Sequence, residues 1–353
     1  TVCLYYFVSS VFGRFLSDLP SILSDSQIGI IDPHGVYFSD QRHKRTGKYW
    51  NLKEDRTAME DIQDQFLPYK GVFDCTDDVF SQGCYSGTLF RFPLRTDPSE
   101  LSQTLYFAEK MDTLFKSFKA DPHLMLLFLT HVECIELYVR EESESTPRKI
   151  FQVKVGDKSL LTVRNKRKEF REKITSVKLN SESVTVTYPI TIEIINVNSH
   201  VAEEVEQHSF LVTNYYCGGD VSSKFRKLMT DKELNYLPTV GVAMALPTGL
   251  KQPTPEIHGH VFCFLPLPVQ KTTLTGLPVH INGFFALSQN RRHIKLPNAH
   301  QVDEESAGRA VSDKALMWNN CLLGEAIPRA YAKMLIDAIN TRCFDAPLAA
   351  IYK

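Results

Sequence analysis

No motif of a familiar catalyst or cofactor site occurs in these 353 residues: no G-x-x-x-x-G-K-S/T phosphate loop, no G-x-G-x-x-G, no H-E-x-x-H and no G-x-S-x-G elbow. In GCYSG (Gly83 to Gly87) the serine stands one position too late for the elbow. The eight cysteines never form C-x-x-C or a zinc-ribbon spacing, and no N-x-S/T sequon occurs, which argues for reduced thiols in an intracellular, cytoplasmic setting. Charge of one sign is missing too. Forty Lys and Arg against 41 Asp and Glu leave a net charge of −1, so no global field draws the chain to nucleic acid or to an anionic membrane. Long hydrophobic runs are absent, because TVCLYYFVSSVFGRFL at the start is interrupted by Ser9, Ser10 and Arg14 well before the 20 or so apolar residues a membrane span needs. That segment also lacks the basic n-region of a signal peptide, and reads as a buried strand or as the edge of a larger polypeptide.

What is present is ordinary in bulk: 43% hydrophobic and 23% charged residues, with 22 Phe and 14 Tyr, which is the composition of a globular protein with room for two domains. QIGIIDPHG (Gln27 to Gly35) reads as a short strand ending in an Asp-Pro turn, where Asp32 and His34 serve the turn. The polar stretch from Gln41 to Asp64 reads as an exposed loop with a short helix. YSGTLFRFPLR from Tyr85 alternates as a strand does, and Ser99 is placed to cap a helix running through Leu101, Leu105, Ala108, Met111, Leu114 and Phe118. LMLLFL (Leu124 to Leu129) and IELYVR (Ile135 to Arg140) are short buried elements. EESESTPRK (Glu141 to Lys149) has the composition of a linker, giving domains over 1–140 and 150–353.

Beyond it, VTVTYPITIEIINV, HSFLVTNYYC, VGVAMALP, GHVFCFLPLP and LPVHINGFFALS make the second half strand-rich. The basic run Arg164 to Lys173 is interleaved with Glu169 and Glu172 and reads as a solvated helix face. His258 and His260 share one face of a strand, but Cys263 falls on the other, so structural histidines are favoured over a metal site. Asp313 caps a terminal helix that Pro328 should kink or split.

Seven segments, in order IGIIDPH, FLPYKGVFDC, SGTLFRFPLRT, LLFLTHVECIELY, GHVFCFLPLP, LPVHINGFFALSQNRRHIKLPN and WNNCLLGEAIPRAYAKML, resemble the sacsin-like repeat family, from about Asp18 to Asp337. That family is related to the ninety-kilodalton heat-shock chaperone. The resemblance implies an α+β chain: the C-terminal part of an ATPase sandwich of the class shared by gyrase, heat-shock chaperones and histidine kinases, then a strand-rich middle-like domain with a C-terminal helix. Gly87 and Thr88 look like the late Gly-Thr pair that helps hold the adenine end of the nucleotide. The family's E-x-x-x-N and D-x-G-x-G elements have no equivalent here, and a pocket without that carboxylate, asparagine and glycine loop cannot compensate phosphoryl charge.

The resemblance therefore implies about one and a half domains of a much larger chain acting in protein folding and quality control. It implies no cofactor for this chain alone, and ATP with magnesium for a completed parent. No metal site follows, nor activity from this chain by itself. Client proteins and the seventy-kilodalton heat-shock chaperone are the implied partners, reached through the parent. Arg291 and Arg292 are candidates for a phosphate contact if the parent is an active ATPase; a passive interaction scaffold is the third reading.

Overall fold

A computed structural model describes residues 17–40, 43–60, 63–176, 181–197, 204–246, 259–268, 274–288, 291–296 and 313–341. The fold is α+β, with its strands in two sheets. The chain packs as two units, each assembled from two stretches: Thr1–Ala120 with Ile135–Phe151, and Asp121–Cys134 with Gln152–Lys353. The segment Glu141 to Lys149 lies inside the first of these, as a turn closed by the Glu144 carboxylate accepting from Glu141 N–H (2.8 Å) and from Arg148 (3.1 Å).

The first unit is built on an antiparallel sheet of order β3-β2-β1-β4: β1 (Ser21–Asp25), β2 (Gln27–Ile31), β3 (Gly47–Asn51) and β4 (Tyr85–Arg91). Strand register aligns Trp50, Ile28, Leu23 and Leu89 in one row across all four strands. Each is at most 7% exposed, so this row is the floor of the core. Successive side chains alternate sides, so the neighbouring row Tyr49, Gly29, Ile22 and Phe90 is displayed on the opposite face. Trp50 is a correction to the sequence reading. The stretch Gln41 to Asp64 holds a strand whose Trp50 packs edge-on against Phe38 and Phe66 (centroids 6.2 and 6.5 Å), and apolar burial outweighs the polar flanks.

Helices α1 (Arg56–Glu60) and α2 (Asp77–Gln82), with a 3-10 helix Gln63–Tyr69 between them, supply Met59, Phe66, Tyr69 and Val79 to that core. Helix α3 covers only Ala108–Phe118. It does not start at Ser99: the Ser99 hydroxyl donates to Asp18 (2.8 Å) and accepts from Leu101 N–H (3.3 Å), but the Ser99 N–H bonds forward to Ser102 O (3.1 Å), which closes a local turn in place of a helix.

Strands β5 (Cys134–Val139) and β6 (Arg148–Val155) flank the turn at Glu141 to Lys149. The second unit takes the Gln152–Val155 end of β6, then α4 (Asp157–Ser176), β7 (Val184–Asn196), β8 (Glu204–Tyr216), α5 (Ser223–Met229), β9 (Thr239–Ala245), β10 (Val261–Cys263), β11 (Leu265–Pro266) and β12 (Val279–Gly283). Its strands run in the order β11-β10-β12-β9-β8-β7, antiparallel except for the β10–β12 pair. One face carries the rows Leu211, Met244, Val279 and Thr213, Val242, Ile281. On it pack Phe225 and the helices near the C-terminus, through Trp318, Leu322, Ala330 and Met334.

Those helices answer to the expected signals. The Asp313 carboxylate accepts from Ala315 and Leu316 N–H to start α6 (Lys314–Cys321), and α7 (Ile327–Asn340) has Pro328 in its first turn. A π-helical turn, Leu322–Ala326, joins them. Proline has no N–H and crowds the carbonyl four residues back, so the chain passes Pro328 by widening one turn and beginning a new helix there.

The opposite face of this sheet is more polar. Tyr188, Val212, Ala243 and His280 form one row, and Val186, Asn214, Gly241 and Asn282 the next. Residues 121–134 lie over it. A 3-10 helix, Pro122–Leu126, leads to Phe128, whose ring edge occupies the space a side chain at Gly241 would fill: a Cβ there would stand 2.8 Å from Phe128 Cε1.

Candidate functional site

Gly87 and Thr88 sit where β4 departs from regular pairing. Register runs Ser24↔Thr88 and then jumps to Asp25↔Tyr85, so Ser86 and Gly87 bulge from the ladder. A side chain at Gly87 would press on the Tyr85 ring, 3.1 Å from its Cε1, and the Tyr85 hydroxyl fixes that ring by donating to Phe73 O (2.9 Å). The bulge presents Thr88 beside Ser24: their hydroxyl oxygens are 2.7 Å apart, and Ser24 Oγ also donates to Gly87 O (3.3 Å). Ser24 shares a face with the row Tyr49, Gly29, Ile22 and Phe90, on which Tyr49 is 74% exposed. Chemically this is a pair of neutral hydroxyls and a carbonyl set in a partly apolar sheet face. It can hold a polar ligand edge by hydrogen bonds and brings no charge to balance a phosphate.

A cluster of charged groups in the first unit is centred on Asp18. Arg95, 5% exposed, donates to Asp18 Oδ1 through Nε (2.9 Å) and Nη2 (2.6 Å), and Ser99 Oγ adds a third bond (2.8 Å). The Arg95 hydrogen bond is the main cause that holds the Asp18 carboxyl below its ordinary range, against the effect of burial. His34 stands between Asp18 (Nε2, 4.0 Å) and Glu100 (Nδ1, 3.5 Å). This Ser, His and Asp do not make a nucleophilic triad, since the serine hydroxyl is bonded to the carboxylate and not to the imidazole.

Asp32 explains the turn as expected. It is fully buried and accepts from the N–H groups of Gly35 (3.0 Å), Tyr37 (2.7 Å) and Phe38 (3.1 Å). Burial alone would push its carboxyl up, and the backbone N–H groups outweigh that and hold it down. Gly35 stands at φ +66°, a left-handed conformation that side chains disfavour.

A separate pocket of about 300 Å³ opens in the same unit, floored by Leu52, Met59, Phe66 and Phe80. Arg56 and Lys70 stand at its rim. Lys70 is paired with Asp77, and Arg56 donates to Ser81 O (2.5 Å).

In the second unit, Arg291 and Arg292 are exposed on a tight turn. Arg291 takes φ +54° and its N–H bonds Ser288 O (2.8 Å), while Ser288 N–H bonds His293 O (2.9 Å). His258 lies outside the described residues, as does the opening segment 1–16. His260 stacks on His280 (centroids 5.6 Å). Among the described residues no three His, Cys, Asp or Glu side chains are grouped to hold a metal ion, and no helix is long and apolar enough to cross a membrane. The six described cysteines are free, and burial pushes the Cys75 and Cys217 thiols up to about 11, far from a reactive thiolate.

The basic helix face is solvated through pairing, as its interleaved glutamates imply: Arg164 with Glu133 (2.6 Å), Lys166 and Lys173 with Glu169 (2.8 and 2.7 Å). Arg167 departs from it. It is 3% exposed and donates to Leu126 O (2.9 Å). Two further residues were not singled out from the sequence. Asn319 is fully buried and ties Ala286 N–H, Ala286 O and Lys295 O with three bonds of 2.8–2.9 Å. His123 stacks on His208 with ring centroids 4.0 Å apart. A polar residue inside an apolar run, as in WNNCLL, was the available signal for Asn319; nothing in the order of residues pairs His123 with His208.

Residues 9–152 match the family model of the Sacsin domain, a span that holds the Ser24–Thr88 pair and the Asp18 network. The chain is also similar to Sacsin of Homo sapiens, 37% identical over 357 residues that cover 96% of this chain and 7% of that protein. It thus spans 7% of the length of the curated relative it matches.

Proposed function

Since this is a sacsin-like chain, we propose that it is one segment of a large chaperone-related polypeptide acting in protein folding and quality control. In this reading the first unit is the late part of an ATPase-like sandwich, and the second is the middle-like domain that follows it. The observation that carries the reading is the two-sided sheet of the first unit. One face is closed by the row Trp50, Ile28, Leu23 and Leu89, while the other carries the Ser24–Thr88 hydroxyl pair and, two strands away, an exposed Tyr49.

A nucleotide needs more than that wall. Its adenine amino group calls for a carboxylate, its phosphates for backbone amides and a magnesium ion, and those elements would come from the rest of a completed domain. Clients would be engaged through apolar surface of the second unit, where Leu161, Leu237, Leu277, Ile336 and Ile339 are 46–68% exposed.

Calorimetric titration of ATP and magnesium into this chain, beside an N-terminally extended chain of the parent, tests the nucleotide half of the proposal. The expected result is no binding to this chain, and micromolar binding to it would overturn the incomplete-pocket reading. Suppression of aggregation of a heat-labile client at stoichiometric ratios is the expected chaperone readout. Its absence at excess would favour a passive scaffold.

A further inference from the structure

Four histidines from separate parts of the second unit meet on the polar face of its sheet. His123, from the 3-10 helix Pro122–Leu126, lies flat on His208 of β8 (4.0 Å between centroids, 5° between planes) and on Phe210 (5.8 Å). Phe210 meets the edge of His280 on β12 (5.9 Å), which stacks on His260. His280 Nδ1 accepts the His260 N–H (3.1 Å), so that nitrogen carries no proton. His123 Nδ1 is buried with no hydrogen-bond partner. His280 itself is 4% exposed.

A cation is badly placed in such a stack. A proton on His280 Nδ1 would break the bond from the His260 backbone, and a proton on His123 Nδ1 would be a buried donor with no acceptor. The groups facing the stack do little to offset this. Glu206 bonds His208 Nε2 (2.7 Å) at the partly exposed end, and Arg167 of α4 holds Leu126 O, where it adds positive charge to the same short segment. Tyr188 of β7, Asn214 and Asn282 are neutral, and at the far end of the segment Glu133 is already paired with Arg164. Burial, first, and the neighbouring histidines, second, push His123 down to about 3, and burial with His260 pushes His280 down to about 4.

We propose that this imidazole stack is an acid-sensitive latch, closed while His123 and His280 are neutral, which holds residues 121–134 against the sheet. The segment is held by the stack at His123, by Arg167 on the Leu126 carbonyl, by Phe128 over Gly241, and at its far end by Glu133, which pairs with Arg164 and whose carbonyl accepts from Val155 N–H (2.8 Å). Of these groups only an imidazole, once released, has an ordinary value near neutral pH. The sign follows from linkage. A released His123 takes up a proton near its ordinary value of 6.5, while the latched one does not until about 3, so the open form gains as pH falls below 6.5. From pH 7 to pH 5 the open population should rise about 25-fold for His123 alone.

The test is hydrogen exchange of the full chain at pH 7, 6 and 5, corrected for intrinsic rates, comparing peptides of 121–134 with peptides of α4 as reference. Opening of 121–134 is expected to rise about 25-fold, ahead of α4, and His123→Phe should remove the rise while keeping a stacked ring. Less than a threefold change in the wild type, or an unaltered rise in His123→Phe, overturns the latch. Should the variant fail to fold, the His123 ring resonance of the wild type decides: a midpoint near 6.5 with exchange protection intact refutes it, and no titration above pH 5 while 121–134 is protected supports it.

Discussion

Replacing Asp18 by Asn keeps the shape of the side chain and removes its charge, which isolates the ionic part of the network around Arg95. In the wild type two Arg95 bonds and one from Ser99 end on Asp18 Oδ1, and Thr104 O stands 3.4 Å from Arg95 Nη1. The variant takes the Asp18 charge away from Arg95, a cation only 5% exposed, and the cost of breaking one side of such a pair is about 3–5 kcal/mol. Arg95→Met removes the cation instead. Asp18, with its side chain 22% exposed, can then recover water, so the cost should be smaller, about 2 kcal/mol. The double variant buries no charge at all and should cost far less than the sum of the two, giving a coupling of about 2–3 kcal/mol.

The assay is urea-dependent hydrogen exchange read on peptides of β1 and β4. The pH dependence gives an independent check. Asp18 is held below its ordinary value of 3.8, so its stabilisation is complete above that value and is lost as pH falls through the folded-state range beneath it. Wild type should therefore lose stability below pH 4 faster than Asp18→Asn. Additive costs, or a cost under 1 kcal/mol for Asp18→Asn, would refute the reading that Asp18 and Arg95 stabilise the fold as an ion pair.

Asn319→Ala leaves Ala286 N–H, Ala286 O and Lys295 O without partners in a buried site, so a loss of about 2–4 kcal/mol is expected in denaturation of the second unit, followed at Trp318. An unchanged midpoint would mean that water replaces the side chain. Gly241→Ala places a methyl 2.8 Å from Phe128, whose ring is itself packed on Phe262 (5.0 Å), and should cost about 1–3 kcal/mol with faster exchange in residues 121–134. Thr88→Val removes the hydroxyl beside Ser24 at nearly constant volume; about 1 kcal/mol of stability should be lost, and a larger loss would make the pair chiefly structural.

The amino-acid order by itself determined the features that arise from short-range chemistry. Alternation over Val184 to Asn196 specifies a strand buried on one side, Asp313 starts a helix with its own carboxylate, Pro328 ends one helical ladder and begins another, and the lysine–glutamate spacing keeps the α4 face in water. The seven ordered segments likewise pointed to the sacsin-like relationship before any coordinate. Tertiary structure decided what depends on register and on contacts between distant residues. Ser99 was a sound cap in its own neighbourhood, yet its hydroxyl is tied to Asp18, 81 residues away, and its N–H closes a turn on Ser102 O. Trp50 lay in a polar stretch, yet pairing of β3 with β2 placed it opposite Ile28 in the core. His123, His208, His260 and His280 are unremarkable apart; they become one stack because strand pairing sets β8, β9 and β12 side by side and Gly241 leaves room for the segment that carries His123 to lie across them. Local propensity acts over a few residues, whereas a site assembled from four elements exists only once the sheet has closed.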